Sequence, residues 1–299
     1  VLGIAFQTMT KHGDIGADIR SQYCVDKDEV FLQADSSQAE ARVIFLLAND
    51  EQALIDVDLR DYHAFTASWF LGGSEEQYSK KLLGYECPER FLGKTLRHAG
   101  HLGASFKRAT VEVNNSIRKY KIQRAPINEG FAQYALNIFH SKQPSIQKVF
   151  QAEIIEQLKK FRQLTAPLPY GINAPCGGKG TFFDRWTDEL FRDAFSYIPQ
   201  RAVSDNTKCT GLRLWEDSQR KKIPPFRIIM ESHDSLLFSI NKNYVDELAP
   251  IIKQEFERPI NFEQCSLPRR SLIIPCELEI SETNFKDLRK YRSASLLMK

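Results

Sequence analysis

Two periods of hydrophobic spacing divide this chain. Val30-Phe31-Leu32-Gln33-Ala34 is an apolar run that predicts a strand over Asp28 to Ala34, leading to Asp35. Directly after it the period changes. Ala39, Val43, Leu46 and Leu47 share one helical face, with Gln38, Glu40 and Arg42 as polar insertions at its start. From about residue 53 to 195 the pattern is mostly helical. Tyr62 to Leu71 predicts a helix closed by Gly72-Gly73, and Glu89 to Leu102 another, bounded by Pro88 and Gly103. Ser145 to Phe161 follows Pro144 as a long amphipathic helix carrying Val149, Ile154, Ile155 and Leu158. Pro167 to Phe183, rich in Gly and Pro, reads as a loop or hairpin before Asp184 to Phe195 resumes a helix.

The last hundred residues are mixed. Val203 to Trp215 and Tyr244 to Glu257 read as helices, and Ser271 to Ile280 as a final strand. Arg227 to Ile240 predicts a β-hairpin whose turn contains Ser232-His233-Asp234-Ser235. Strands at both ends enclosing a helical insertion predict one α+β domain. The expected division is 1–52, 53–195 and 196–299.

Against this pattern two residues are out of place. Asp35 and Asp234 each sit at the tip of an apolar strand, where a carboxylate is costly unless something compensates it. Together they suggest a shared cation site, although either one alone is read more simply as a cap or turn residue.

Composition narrows the classes. The 42% hydrophobic content fits a globular protein with a real core, and no apolar run approaches the roughly 18 residues of a membrane span. No basic leader followed by an apolar stretch is visible, so no membrane partner is expected. Net charge is only +3. Basic clusters at Lys107-Arg108, Lys119 to Arg124, Arg220-Lys221-Lys222 and Arg269-Arg270 are solvated faces singly and phosphate contacts if they line one groove. The six cysteines form no CxxC pair and no finger-like spacing with His, which excludes a zinc module and suits a reduced compartment, the cytoplasm. Gly177-Gly178-Lys179-Gly180 lacks the spacing and trailing Ser/Thr of a phosphate loop and reads as a flexible turn. Trp69, Trp186 and Trp215 read as packing residues.

Three segments carry a more specific signal. They are Asp35-Ser36-Ser37-Gln38-Ala39-Glu40-Ala41-Arg42, then Arg90-x3-Lys94-x8-Gly103 on the capped helix, then His233-Asp234-Ser235. Their order and content resemble motifs A, B and C of the family A DNA polymerases, the DNA polymerase I type, with wording closer to phage members. Asp61-Tyr62-His63 with Thr66-Ala67 resembles the fingers segment, Ile198-Pro199-Gln200 the palm helix beside the primer–template, and Asn284-Phe285 the C-terminal end.

The resemblance implies a right-hand fold, with an antiparallel palm in 1–52 and 196–299 and helical fingers in 53–195. It implies template-directed addition of deoxynucleotides to a primer 3′-hydroxyl, with pyrophosphate released. Phosphoryl transfer of this kind needs charge neutralisation and in-line positioning more than covalent chemistry. Asp35, Asp234 and the Ser36 carbonyl would hold two magnesium ions, manganese being the alternative. Arg90 and Lys94, four apart on one helix face, would grip the triphosphate with His63, and Lys94 would be the general acid for pyrophosphate. Glu40 would occupy the space of a ribose 2′-hydroxyl, with Ser36 and His98 beside the nucleotide. Gln38, Arg42, Gln200, His233 and Leu102 would meet primer and template. Taken singly, each of these has an ordinary helix-surface or ion-pair reading.

Several positions depart from the family pattern. Ser36 stands for a usual Tyr, Ser235 for Glu, Leu102 for Tyr, and His98 for Phe or Tyr. An Arg expected upstream of Gln7 is absent. The thumb and any exonuclease domain are expected in other parts of a longer protein, along with a processivity factor as a further partner. A single-subunit RNA polymerase, against which Glu40 argues, and a decayed fold that only binds DNA are the alternatives. A phage protein of this kind would act in the cytoplasm of its host.

Overall fold

The computed structural model describes residues 14–79 and 87–292; the reading at Gln7 lies outside the described residues. A five-stranded antiparallel sheet has the order β4-β5-β1-β6-β7, with β1 (Glu29–Ser36) central, β4 (Phe226–Ser232) and β5 (Ser235–Asn241) on one side, and β6 (Cys276–Ser281) and β7 (Arg289–Lys290) on the other. Val30, Leu32 and Ala34 of β1 point to one face. There they join Leu236, Phe238 and Ile240 against the helix Val245–Phe256, which contributes Leu248, Ala249 and Ile252. Phe31 points the other way, onto Met230, Leu237 and Phe285. A strand covered on both faces has no polar side to show, so Val30–Ala34 reads as an apolar run interrupted only by Gln33, which is buried and bonded to Ser235.

Helices precede, interrupt and flank the sheet. In chain order they are α1 (Asp14–Ser21), α2 (Ala39–Leu47), α3 (Glu51–Leu59), α4 (Tyr62–Leu71), α5 (Pro88–His101), α6 (Phe106–Lys119), α7 (Glu129–Lys142), α8 (Ala152–Phe161), α9 (Asp188–Gln219) and α10 (Val245–Phe256). One apolar cluster joins α4 through α7 around Phe70, Leu92, Leu96 and Val113. A larger one ties α2 to α8 and α9 through Phe45, Leu46, Ile154 and Ile198. The fold is α+β.

Three local predictions change. The helix expected over Ser145 to Phe161 starts with a π-helical segment, Ile146–Gln151. The helices expected on either side of Ile198-Pro199-Gln200 are one, α9, continuous across the 195/196 boundary. Proline removes a single ladder bond, and Phe195, Ile198 and Ala202 packed in the large core hold the rest. The Gly177–Gly180 turn is not free: Lys179 and Gly180 lie in β3 (Lys179–Thr181), which pairs with β2 (Gln163–Thr165), in keeping with the hairpin reading of the Gly- and Pro-rich stretch.

The basic clusters carry acid partners close by. Arg108 pairs with Glu112, Arg124 with Glu89, Arg220 with Glu216, Lys222 with Asp217, Arg269 with Glu153, and Arg270 with Glu51. Acids a helical turn away, or across a contact, neutralise them locally. The tryptophans split as well. Trp69 packs against the large core, but Trp186 and Trp215 are 44% and 50% exposed. All six cysteines are free thiols, and no described helix is long and apolar enough to cross a membrane.

Candidate active site

Backbone pairing brings the two aspartates together. Asp35 lies opposite Ser235 of β5 and Glu277 of β6. One residue on, the Ser36 N–H donates to the Asp234 carbonyl at 3.0 Å. Asp234 occupies the two-residue turn between β4 and β5, where His233 takes a left-handed φ of 51°. Histidine is among the non-glycine residues enriched there. The turn is braced from below by Ser235, 3% exposed. Its hydroxyl donates to the Ser232 carbonyl at 3.2 Å and accepts from Gln33 Nε2 at 3.2 Å. Ser235 thus acts as a structural brace.

Glu40, in the first turn of α2, reaches this turn. Its Oε1 is 2.7 Å from His233 Nε2. Burial alone would raise the Glu40 pKa, but the His233 hydrogen bond and the charges of His98, His233 and Lys94 bring it below the ordinary carboxylate value. His233 moves the opposite way, raised chiefly by its bond to Glu40. The hydrogen bond thus favours the charged form of each partner.

Above them lies α5. Arg90, Lys94, His98 and Leu102 recur every four residues and form one stripe. Lys94 and His98 are open to solvent. Arg90 Nε is 2.7 Å from Asp61 Oδ2, and Asp61 also caps α4 by accepting from the Ala64 N–H at 3.3 Å. His63 stands in the first turn of α4. Burial, then the charges of Arg97, Arg90 and Lys94, keep its imidazole neutral, and its buried Nδ1 has no hydrogen-bond partner among the described residues. The two helices touch at Gly93, where a Cβ would come 2.1 Å from the His63 carbonyl oxygen and 2.9 Å from the Ala67 nitrogen. Glycine is what lets His63, Arg90 and Lys94 share one place.

Leu102 caps the far end of α5 and packs on the large core. That end is fixed by Gln151 of the π-helical segment, whose Nε2 donates to the carbonyls of Gly100 and His101 at 3.0 and 2.9 Å.

The remaining predicted residues divide. Gln200 and His233 line one open groove of about 470 Å³ between α9 and the hairpin, with Tyr197, Arg201, Ser204 and Lys208. Arg42 is kept out of the cleft. It is 5% exposed, donates to the Ser37 carbonyl at 2.9 Å and pairs with Asp58 at 2.7 Å, so it shapes the start of α2. Ser36 is 3% exposed. Gln38 begins α2 in the left-handed region, φ 48°, and accepts from Arg97 at 3.4 Å. Arg97 was not singled out from the sequence. It is 6% exposed, lies 5.0 Å from the Tyr62 ring centre, and burial lowers its pKa to about 10. Its signal was an arginine at a core-facing position, between Leu96 and Ala99.

With the geometry in hand, comparison with known proteins is informative. No protein-family model matches the chain. It is 24% identical over 263 residues to DNA polymerase I of Synechocystis, a match covering 85% of this chain and 25% of that protein. It superposes on the POL domain of Pol1 from M. smegmatis, solved with DNA primer-template and dNTP, with a TM-score of 0.69 at 15% identity. The chain has the fold of that POL domain. The superposition covers 94% of this chain and 44% of the mycobacterial one, and the chain spans about a quarter of the length of the cyanobacterial relative. Within that fold the antiparallel sheet carries Asp35 and Asp234, and the α4–α7 helices carry His63, Arg90, Lys94 and His98.

Proposed function

We propose that this chain is the catalytic module of a template-directed DNA polymerase, with a palm formed by 1–52 and 196–299 and fingers by 53–195. The observation that supports it best is the meeting of Asp35 and Asp234 at adjacent strand tips, with the α5 stripe lying over Glu40. The relatives' DNA and nucleotide partners are carried to this chain as part of the same reading.

The donor set suits magnesium. It consists of oxygens only, two aspartates and the Ser36 carbonyl. Among the described residues no group of three or more His, Cys, Asp or Glu is arranged to hold a metal. Two carboxylates leave coordination positions for phosphate oxygens and water, which is how magnesium is usually held beside nucleotides. When bound, a pair of such ions supplies charge neutralisation at the attacking and leaving oxygens; manganese would fit the same oxygens.

The chain's own groups do the rest. Lys94 meets the triphosphate as a point charge and donates the proton that pyrophosphate requires. Arg90, held by Asp61, and neutral His63 bound the same side, and His98 faces the nucleotide. Glu40, tethered by His233, fills the space a 2′-hydroxyl would take. Leu102 covers the template base, while Gln200 reaches groove acceptors common to all base pairs, as suits a sequence-blind enzyme. Arg42 and Gln38 set the start of α2 beneath the primer. On the phage-like wording of the motifs, the enzyme acts in a host cytoplasm, with a processivity factor as a further partner.

The test is primer extension by the full-length protein with magnesium and deoxynucleotides. Wild type extends, and Asp35→Asn and Asp234→Asn do not. Full extension by either variant would sink the mechanism.

A further inference from the structure

One buried charge near the site has no task in the mechanism above. Arg97 lies on α5 directly before His98 and is 6% exposed. A buried cation needs an anion or a full set of acceptors. Among the described residues Arg97 has neither. Asp61, whose charge favours it, is taken by Arg90 at 2.7 Å. Its Nε has no hydrogen-bond partner among the described residues. What Arg97 does meet is the face of Tyr62, 5.0 Å to the ring centre, and Gln38, whose Oε1 accepts from Nη1 at 3.4 Å. Tyr62 is 1% exposed and its hydroxyl accepts from Gln143 Nε2 at 2.7 Å, so the ring is anchored in turn.

Gln38 stands between Asp35 and Glu40 in the left-handed region, φ 48°, and its side chain does not cap α2. That conformation is unfavourable for a residue other than glycine and persists where the surroundings hold it. Two arginines do so. The Arg42 backbone N–H donates to the Gln38 carbonyl at 3.1 Å, and Arg42 Nε to the Ser37 carbonyl at 2.9 Å. Arg97 holds the side chain. A guanidinium has donors only, so the Gln38 amide must turn its oxygen to Arg97 and its NH2 to the other side. Gln38 is part exposed, and its NH2 has no hydrogen-bond partner among the described residues. Nucleic acid offers acceptors that do not depend on sequence, at base edges in the minor groove and along the sugar–phosphate backbone.

We propose that Arg97 is a positioning residue for primer–template binding: it holds the Gln38 amide by its oxygen, so that the NH2 donates to an acceptor of the bound nucleic acid. The proposal rests on the polymerase reading above and adds to it the group that orients Gln38.

The test reads primer–template affinity and melting temperature separately on the full-length protein. Gln38→Glu keeps the shape and gives Arg97 a charged partner, but it has no NH2. It should melt no lower than wild type and bind about fivefold more weakly. Gln38→Met should lose a similar factor, which separates the missing donor from added repulsion. Arg97→Met fills the space without charge, a replacement that buried charges often tolerate. It should weaken binding about threefold, Arg97→Lys should recover most of that, and in the Gln38→Met background Arg97→Met should cost nothing more. Purines lacking the minor-groove ring nitrogen, placed at the primer end, should bring wild type and Gln38→Met together if the acceptor is a base edge; a persisting gap assigns it to the backbone. Additive losses, or Gln38 variants that bind like wild type, would overturn the assignment. So would an Arg97→Met variant whose only change is a lower melting temperature. A wild type that neither extends primers nor prefers primer–template over blunt duplex would instead refute the underlying reading.

Discussion

The sheet tip and the α5 stripe supply the two halves of the site, and they are held in opposite ways. At the tip, main-chain bonds set the positions: Asp35 sits between two paired strands, and Ser36 is bonded to the Asp234 carbonyl. On α5, side chains and one missing side chain set them: the Gly93 contact with α4, the Arg90–Asp61 pair and the Gln151 bonds at the far end. A mesh of backbone pairing tolerates substitution of the side chains it displays. A helix seated by packing does not. Changes at the tip should therefore remove chemistry while leaving the fold intact, and changes around α5 should move binding and stability together.

The largest effect tests the tip. Asp35→Asn or Asp234→Asn should cost at least about a thousandfold in extension rate with an unchanged melting temperature. Single-turnover kinetics with calorimetry decides it, and a large fall in melting temperature would contradict the backbone-held account. Lys94→Ala comes next. An exposed cation on α5 should raise the nucleotide KM and lower kcat by a combined factor of about a hundred, again without unfolding. Gly93→Ala is the converse case. Its Cβ has no room beside the His63 carbonyl, so α4 and α5 must separate. Overpacking of this kind costs about 2 kcal/mol. It should lower the melting temperature and raise the nucleotide KM in one step; a stable variant with a normal KM would show that the contact is slack.

The same contrast explains what could be read from the sequence. β1, the β4–β5 hairpin and α4 announced themselves because short apolar runs, a turn between two of them, a capped helix start and Gly72-Gly73 are local signals. Asp35 and Asp234 were legible because a carboxylate at an apolar strand tip is anomalous in its own segment. The seating of α5 was not. Gly93 looks like any helical glycine until α4 lies against it, and Gln151 is one polar residue among several in an amphipathic stretch. Arg42 misled for the same reason, since its partners Ser37 and Asp58 are set by how α2 packs on α3. Pro199 suggested a break because the packing that carries α9 through it comes from distant residues.

Two smaller effects sharpen the comparison. His101, near the end of α5, is 2% exposed and wedged edge-on between Phe45 and Phe139, with no hydrogen-bond partner for Nε2 among the described residues. Burial, then the charge of Arg97, hold its pKa well below the ordinary value, so it stays neutral when folded. The unfolded chain takes up a proton below about pH 6.5. The stability His101 contributes is therefore fully present above that pH and is lost as the pH falls, by up to about 1.4 kcal/mol per unit. His101→Phe should flatten that part of the stability–pH curve, and a parallel curve would rule out this residue as its source.

The smallest expected effect joins the two regions. His233→Gln keeps a donor near Glu40 but removes the charge from a pair that is half open to water. Such pairs are worth at most about 1 kcal/mol, so folding should hardly change. What should change is the freedom of the Glu40 carboxylate, which would then answer only to Lys94 and His98 on α5. Discrimination against ribonucleotides, measured as the ratio of kcat/KM values, should fall about fivefold or less. His233→Ala, with no donor, should fall further than Gln. If Gln and Ala behave alike, the tether acts through its charge; if neither differs from wild type, the carboxylate is positioned from α5 alone, and the tip has no part in holding the gate.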